Sequence, residues 1–195
     1  MASITAFPLA FQPDGSAASC GYRPLRCVGE PLLPTRLACD VARLLDVDPE
    51  VDRWLCHGAA PSDGGPSAVV IEVHRGAERE RLRPVEDPPP GSVPAAAVPG
   101  VPSRAISRAD LDPVRLENAR LILPYARWRV TLDDRVRLLA ALDDEGSVTL
   151  ADCLGLLRHT ARPVAAVASL ALARVVDLDL DEPLGSRTRV IRRPD

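Results

Sequence analysis

The chain has 195 residues, of which 46% are hydrophobic and 3% aromatic, and a net charge of −3. That length holds one ordinary domain or two small ones, with a core built from Leu, Val and Ala rather than from aromatic rings. The acidic balance excludes a generally basic DNA-coating protein, and no apolar run approaches the roughly 20 residues of a membrane span.

All 24 basic residues are arginines, and there are 20 prolines. A codon bias alone would produce such a composition, so the arginine count is not a nucleic-acid signature. The first 15 residues lack the positive start and long apolar core of a signal peptide, and a cytoplasmic protein with no membrane partner is expected. Five cysteines (Cys20, Cys27, Cys39, Cys56, Cys153) are irregularly spaced with no C-x-x-C pair. Reduced thiols are the expectation; a zinc site from Cys20, Cys27, Cys56 and His57 is the alternative.

Residues 1–33 alternate short apolar pieces with Pro, Gly and Ser, and read as an irregular N-terminal segment with one short strand at 4–9. A helix is expected over 34–46, capped by Thr35, with Leu37, Val41, Leu44 and Leu45 on one face and Asp40 at its edge. It stops before Pro49, which disfavours helical geometry in the preceding residue. Residues 51–56 alternate as a strand does.

The PSDGGP segment, 61–66, is a turn, because Asp-Gly-Gly supplies the positive φ angles a tight hairpin needs. The run from Ala68 to His74 is β-branched, continuous and bounded by breakers, as in a buried central strand. Strand period puts Val70, Glu72 and His74 on one face and Val69, Ile71 and Val73 on the other. A carboxylate and an imidazole two apart on such a strand must find partners or water, either Arg75 or a neighbouring strand, or a weakly held metal. Residues 76–83 read as one or two exposed helical turns. The Pro/Ala/Gly tract that follows, within 84–110, reads as a semi-rigid linker and domain boundary.

The second module, 111–195, opens with a short helix and Trp128, which is expected to anchor its core. Thr131 and Asp134 resemble a capping box before Leu132, Val136, Leu139 and Leu142, and Gly146 stops that helix. Thr149 and Asp152 open a second helix carrying Leu150, Cys153, Leu154 and Leu157 inward. Thr160 and Pro163 open a third, with Val164, Val167, Leu170 and Ala171 inward. Residues 175–180 alternate strictly and face an arginine-rich strand across a Pro-Leu-Gly turn. Pairing Val176 with Val190 would set Asp177 opposite Arg189 and Asp179 opposite Arg187. Three helices followed by a charged hairpin is the order of a winged helix. Its third helix is mostly Ala and Ser outside, unlike a major-groove reader. Protein docking or scaffolding is therefore favoured over backbone contact by Arg187, Arg189, Arg192 and Arg193, and over sequence-specific readout.

LENARLILPY, TLDDRVRLLAALDDEGSVTLADCL and VVDLDLDEPLGSRTRV together resemble the C-terminal part of TnsA-like transposon endonucleases. LACDVARLLDVDPEVDRW and VVIEVH resemble a reduced copy, over 34–83, of that family's restriction-endonuclease-like domain. The resemblance implies an α+β fold, a nuclease-like α/β domain followed by a small winged-helix domain. It implies a place in a transposition system among other transposition proteins, with DNA as a further partner. It also implies Mg²⁺ if the site is active, since clustered carboxylates hold the metal that activates water and steadies the leaving oxygen. The available constellation is Glu72, Asp63, Asp40 and His74, with Glu72 and Asp63 as metal ligands. His74 stands where the family has a lysine, Ala38 where it has an acid on the first helix, and Asp63 sits in the turn. The expected activity is thus a degenerate or weak endonuclease with a docking module. The alternative is a small winged-helix regulatory or DNA-binding protein with no catalysis.

Overall fold

The structure is a computed structural model that describes residues 21, 23–59, 68–86 and 101–193. It is a mixed α+β chain, with one four-stranded and one three-stranded sheet among the described residues.

Helix α1 (Arg36–Val47) starts at Thr35, whose hydroxyl accepts the Ala38 N–H at 3.1 Å. It satisfies one of the free donors of the first turn. Leu37, Val41 and Leu45 then pack in one buried cluster with Trp54, Ile71, Val73 and Leu82 from the sheet. That sheet is β1 (Arg53–Ala59), β2 (Ala68–Arg75), β3 (Glu78–Pro84) and β4 (Ser103–Ile106), hydrogen-bonded in that order. The first three strands are antiparallel, with Cys56 opposite Ile71 and Ile71 opposite Leu82; β4 runs parallel to β3. Strand β2 is interior, and its Val69, Ile71 and Val73 are buried beneath α1.

Two expectations are corrected here. Residues 78–84 form a strand rather than helical turns. Gly76, at φ 55°, sits in the two-residue turn that reverses the chain between the paired Arg75 and Glu78. The charges of β3 alternate in sign, so acids fall on one face and Arg79, Arg81 and Arg83 on the other. The end of the 84–110 stretch expected to be a linker supplies β4, the sheet's fourth strand, while most of the Pro/Ala/Gly tract before it, residues 87–100, lies outside the described residues. The short strand expected at 4–9 and the turn at 61–66 lie outside the described residues.

Helix α2 (Pro113–Ile122) is capped by Asp112, which accepts from Val114 and Arg115 N–H at 2.8 and 3.0 Å. Next come α3 (Leu132–Glu145), β5 (Ser147–Thr149), α4 (Leu150–Leu156), α5 (Pro163–Leu172), β6 (Val176–Leu178) and β7 (Arg189–Arg192). The last strand is central, in the order β5-β7-β6. The buried stripe of α3 is Leu138 and Leu142; Leu132 and Val136, expected inside, are 77% and 56% exposed. Leu154 and Val164 are likewise exposed. Arg162, not Thr160, holds the cap position of α5.

The hairpin register also differs. Val176 lies opposite Arg192, and Leu178 opposite Val190. The chain between β6 and β7 is drawn away as a loop by Asn118, which is buried in α2. Its amide donates to the Leu180 and Glu182 carbonyls at 2.9 and 2.8 Å and accepts the Leu184 N–H at 3.1 Å. Asp177 consequently meets Arg193 rather than Arg189.

A third apolar cluster joins the two halves of the chain. Val47 of α1 packs there with Ala119, Ile122 and Leu123, with Ala168 and Leu172 of α5, and with Leu180. Helix α5 thus contributes Val167 and Leu170 to its own half's core and Ala168 and Leu172 to the seam.

Candidate functional site

Strand alternation turns Glu72 and His74 away from α1, onto the open face of the four-stranded sheet. Glu72 is opposite Leu55 on β1 and Arg81 on β3. One Glu72 oxygen, Oε2, accepts from Arg81 Nε and Nη2 at 3.0 and 2.9 Å. The other, Oε1, lies 3.2 Å from His74 Nε2, and His57 Nε2 is 3.7 Å from Oε2. The hydrogen bonds from Arg81 hold the Glu72 carboxyl below its ordinary pKa, against a partial desolvation that pushes the other way. Arg53 and Arg79 stand exposed on the same face, and the Arg83 Nε is buried with no partner among the described residues. One guanidinium and two imidazoles therefore meet the Glu72 carboxylate, and three further arginines share its face of the sheet.

Asp40 does not join Glu72. It is fully buried on α1, on the other side of the sheet, and accepts from Arg43 at 2.8 Å, Arg120 at 3.1 Å and Arg108 at 3.5 Å. Asp63 lies outside the described residues. Mg²⁺ requires hard oxygen ligands in octahedral array. A lone carboxylate already engaged by a guanidinium and flanked by two imidazoles does not fit that requirement. No group of three His, Cys, Asp or Glu suited to a metal occurs among the described residues.

Of the zinc alternative, Cys27 and Cys56 lie side by side, His57 does not join them, and Cys20 lies outside the described residues. Cys56 points toward α1, while its neighbour His57 turns to Glu72. Burial, reinforced by the nearby Cys56, pushes the Cys27 thiol up to about 12, so it stays protonated and is a poor metal ligand. Cys27, Cys56 and Cys153 are free, whereas Cys39 is disulfide-bonded, against the expectation of reduced thiols throughout.

The four C-terminal arginines divide. Arg187 and Arg189 are exposed beside the hairpin loop, and Arg189 donates to Ser147 Oγ at 3.2 Å. Arg192 is paired with Asp143. Arg193 turns inward, donating to the Pro49 carbonyl at 2.9 Å and standing 3.5 Å from Asp177. In α5, every residue from Ala165 to Leu170 is buried, so this helix presents no reading face along that stretch.

Two functional features escaped the sequence reading. One is Arg81, whose pairing with Glu72 was signalled by the sign alternation in ERERLR. The other is Asp46, fully buried at the end of α1. Its carboxylate accepts the N–H groups of Leu25 and Arg26 at 2.8 and 3.1 Å and the Trp54 indole N–H at 2.8 Å. Burial nevertheless raises its pKa, outweighing those three donors. Comparison with protein-family models, with curated proteins and with solved structures returns no match. Among the described residues, no helix is long and apolar enough to cross a membrane.

Proposed function

We propose that the chain is a TnsA-like component of a transposition system that binds DNA without cutting it, its first half being a reduced restriction-endonuclease-like domain and its second a winged helix. The observation that carries this reading is the state of Glu72. The residue in the metal-strand position is engaged by Arg81 and His74, with His57 close by, on a face that gathers cations instead of carboxylates. Such a face attracts a phosphate backbone and discourages a divalent metal. The α1-on-sheet arrangement supports the nuclease ancestry, and the order α3, β5, α4, α5, β6, β7 with β7 central supports the winged helix.

In this reading the winged helix is a docking module. Its third helix is spent on the seam with α2, which removes it as a groove reader. The exposed Leu132 and Val136 on α3 are left for a protein partner.

Plasmid nicking with Mg²⁺ or Mn²⁺ tests the proposal. Native chain and Glu72→Ala are expected to be equally inactive, while duplex DNA binding weakens in Arg79→Ala and its salt slope drops by about 1. Nicking that depends on Glu72 would return the chain to the nucleases. Binding that ignores Arg79 and Arg53 would remove the sheet face as the contact surface.

A further inference from the structure

A cavity of about 250 Å³ opens where the two halves meet. Its wall includes Arg26 from the segment before α1, Arg174 just after α5 and Arg193 after β7. Each is placed by contacts that leave donors over. Arg26 Nε donates to the Asp46 carbonyl at 3.1 Å, and its two terminal nitrogens have no partner among the described residues. Arg193 uses Nη2 on the Pro49 carbonyl and stands only loosely, at 3.5 Å, from Asp177. Arg174 donates to the Val51 carbonyl and stands 3.5 Å from Asp52, while its Nε is buried without a partner among the described residues.

The backbone at Arg174 points the same way. It is the only non-glycine with positive φ (60°) among the described residues. The Val175 N–H returns to the Leu170 carbonyl at 2.9 Å and the Arg174 N–H to the Ala171 carbonyl at 2.9 Å, so Arg174 fills a helix-terminating position where glycine is usual. A long cationic side chain held in left-handed backbone is an outlier of the kind that accompanies function. Burial first, then the charges of Arg174 and Arg193, pull the Arg26 pKa below its ordinary value, against the opposing charges of Asp46 and Asp48. Four carboxylates share the wall: Asp46 is held by its three donors, Asp177 stands 3.5 Å from Arg193, Asp181 stands 3.5 Å from Arg115, and Asp179 accepts the Asp181 N–H at 3.1 Å.

We propose that this cavity binds a small phosphate-bearing molecule, gripped by Arg26, Arg174 and Arg193. Guanidinium forks match phosphate oxygens in geometry and charge. A recess of this size takes a phosphate with a small substituent and excludes a duplex. The ligand would bridge the two halves, since Arg26 belongs to one and Arg174 and Arg193 to the other. The site shares no residue with the open sheet face, so it stands independently of the DNA-binding reading.

Isothermal titration of the full chain with pyrophosphate, at constant ionic strength in chloride, tests this. Saturable one-to-one binding is expected, weakened at least tenfold in Arg26→Gln and in Arg193→Gln and unchanged in Arg187→Gln. Circular dichroism identifies any variant that fails to fold. For the native chain, the Arg Nε–Hε NMR signals report directly, and three should shift with pyrophosphate. Absence of binding, binding indifferent to both seam variants, or shifts confined to other arginines would each overturn the proposal.

Discussion

On one face of the four-stranded sheet, Trp54, Ile71, Val73 and Leu82 are sealed beneath α1, and the carboxylate held there, Asp46, is lifted above its ordinary pKa by burial. On the other face, the same strands present Glu72 to Arg81, His74 and His57, and its pKa is drawn down. The difference comes from the partner as well as from burial: desolvation is the largest effect at Asp46, the Arg81 hydrogen bonds at Glu72. A carboxylate met by two backbone N–H dipoles and an indole, with the Arg26 charge nearby, still bears its desolvation cost. One met by a guanidinium at the rim of solvent does not. The open face therefore stores charge that a ligand can use, whereas the covered face stores stability.

The comparison breaks first at Trp54. Truncating this fully buried ring in Trp54→Ala should cost about 4 kcal/mol in urea unfolding, as large core cavities do. A cost under about 1 kcal/mol would mean that α1 does not depend on that face. Asp46→Ala comes next. It strands two backbone N–H groups and the indole N–H, and a loss of about 3 kcal/mol is expected.

Acid titration of stability then separates the two carboxylates by sign. Asp46 has a raised folded pKa, so its contribution falls as pH climbs from the ordinary 3.8 through the folded value. Glu72 has a lowered one, so its contribution is complete above the ordinary 4.5 and is lost as pH drops through the folded value. Asp46→Asn should flatten the first slope and Glu72→Gln the second; slopes of the same sign would refute the contrast. The smallest effect belongs to Arg81→Ala. About 1 kcal/mol is expected for a pair whose side chains are 24% and 13% exposed, with the Glu72 carboxyl returning toward its ordinary pKa in a ¹³C NMR titration.

Much of the fold was legible because it rests on period. The stripe Leu37, Val41, Leu45 and the alternation through Val69, Ile71 and Val73 each admit one geometry. Other elements admit two. ERERLR is charged at nearly every position, and only the alternation of sign marks it as a strand. In α3, Leu132 and Val136 form one apolar face and Leu138 and Leu142 another; which of them is covered depends on what the rest of the chain brings to it. The hairpin register was open because a slip of two residues preserves every inside–outside assignment. Asn118, more than 60 residues away, settles it. The site was half legible for the same reason. Glu72 and His74 were readable as a pair on one strand, but Arg81, Asp46 and the arginine-lined cavity exist only once distant segments meet.

The apolar seam has a consequence for how the molecule melts. Val47, Leu172 and Leu180 are 9%, 8% and 8% exposed, and separating the halves would wet all three together with Ala119 and Ile122. Neither half can then unfold without uncovering part of the other. Calorimetry of the full chain should accordingly give a single endotherm whose calorimetric and van't Hoff enthalpies agree, cooperativity extending across both cores. A cut between β4 and α2 would leave each fragment with one wet side.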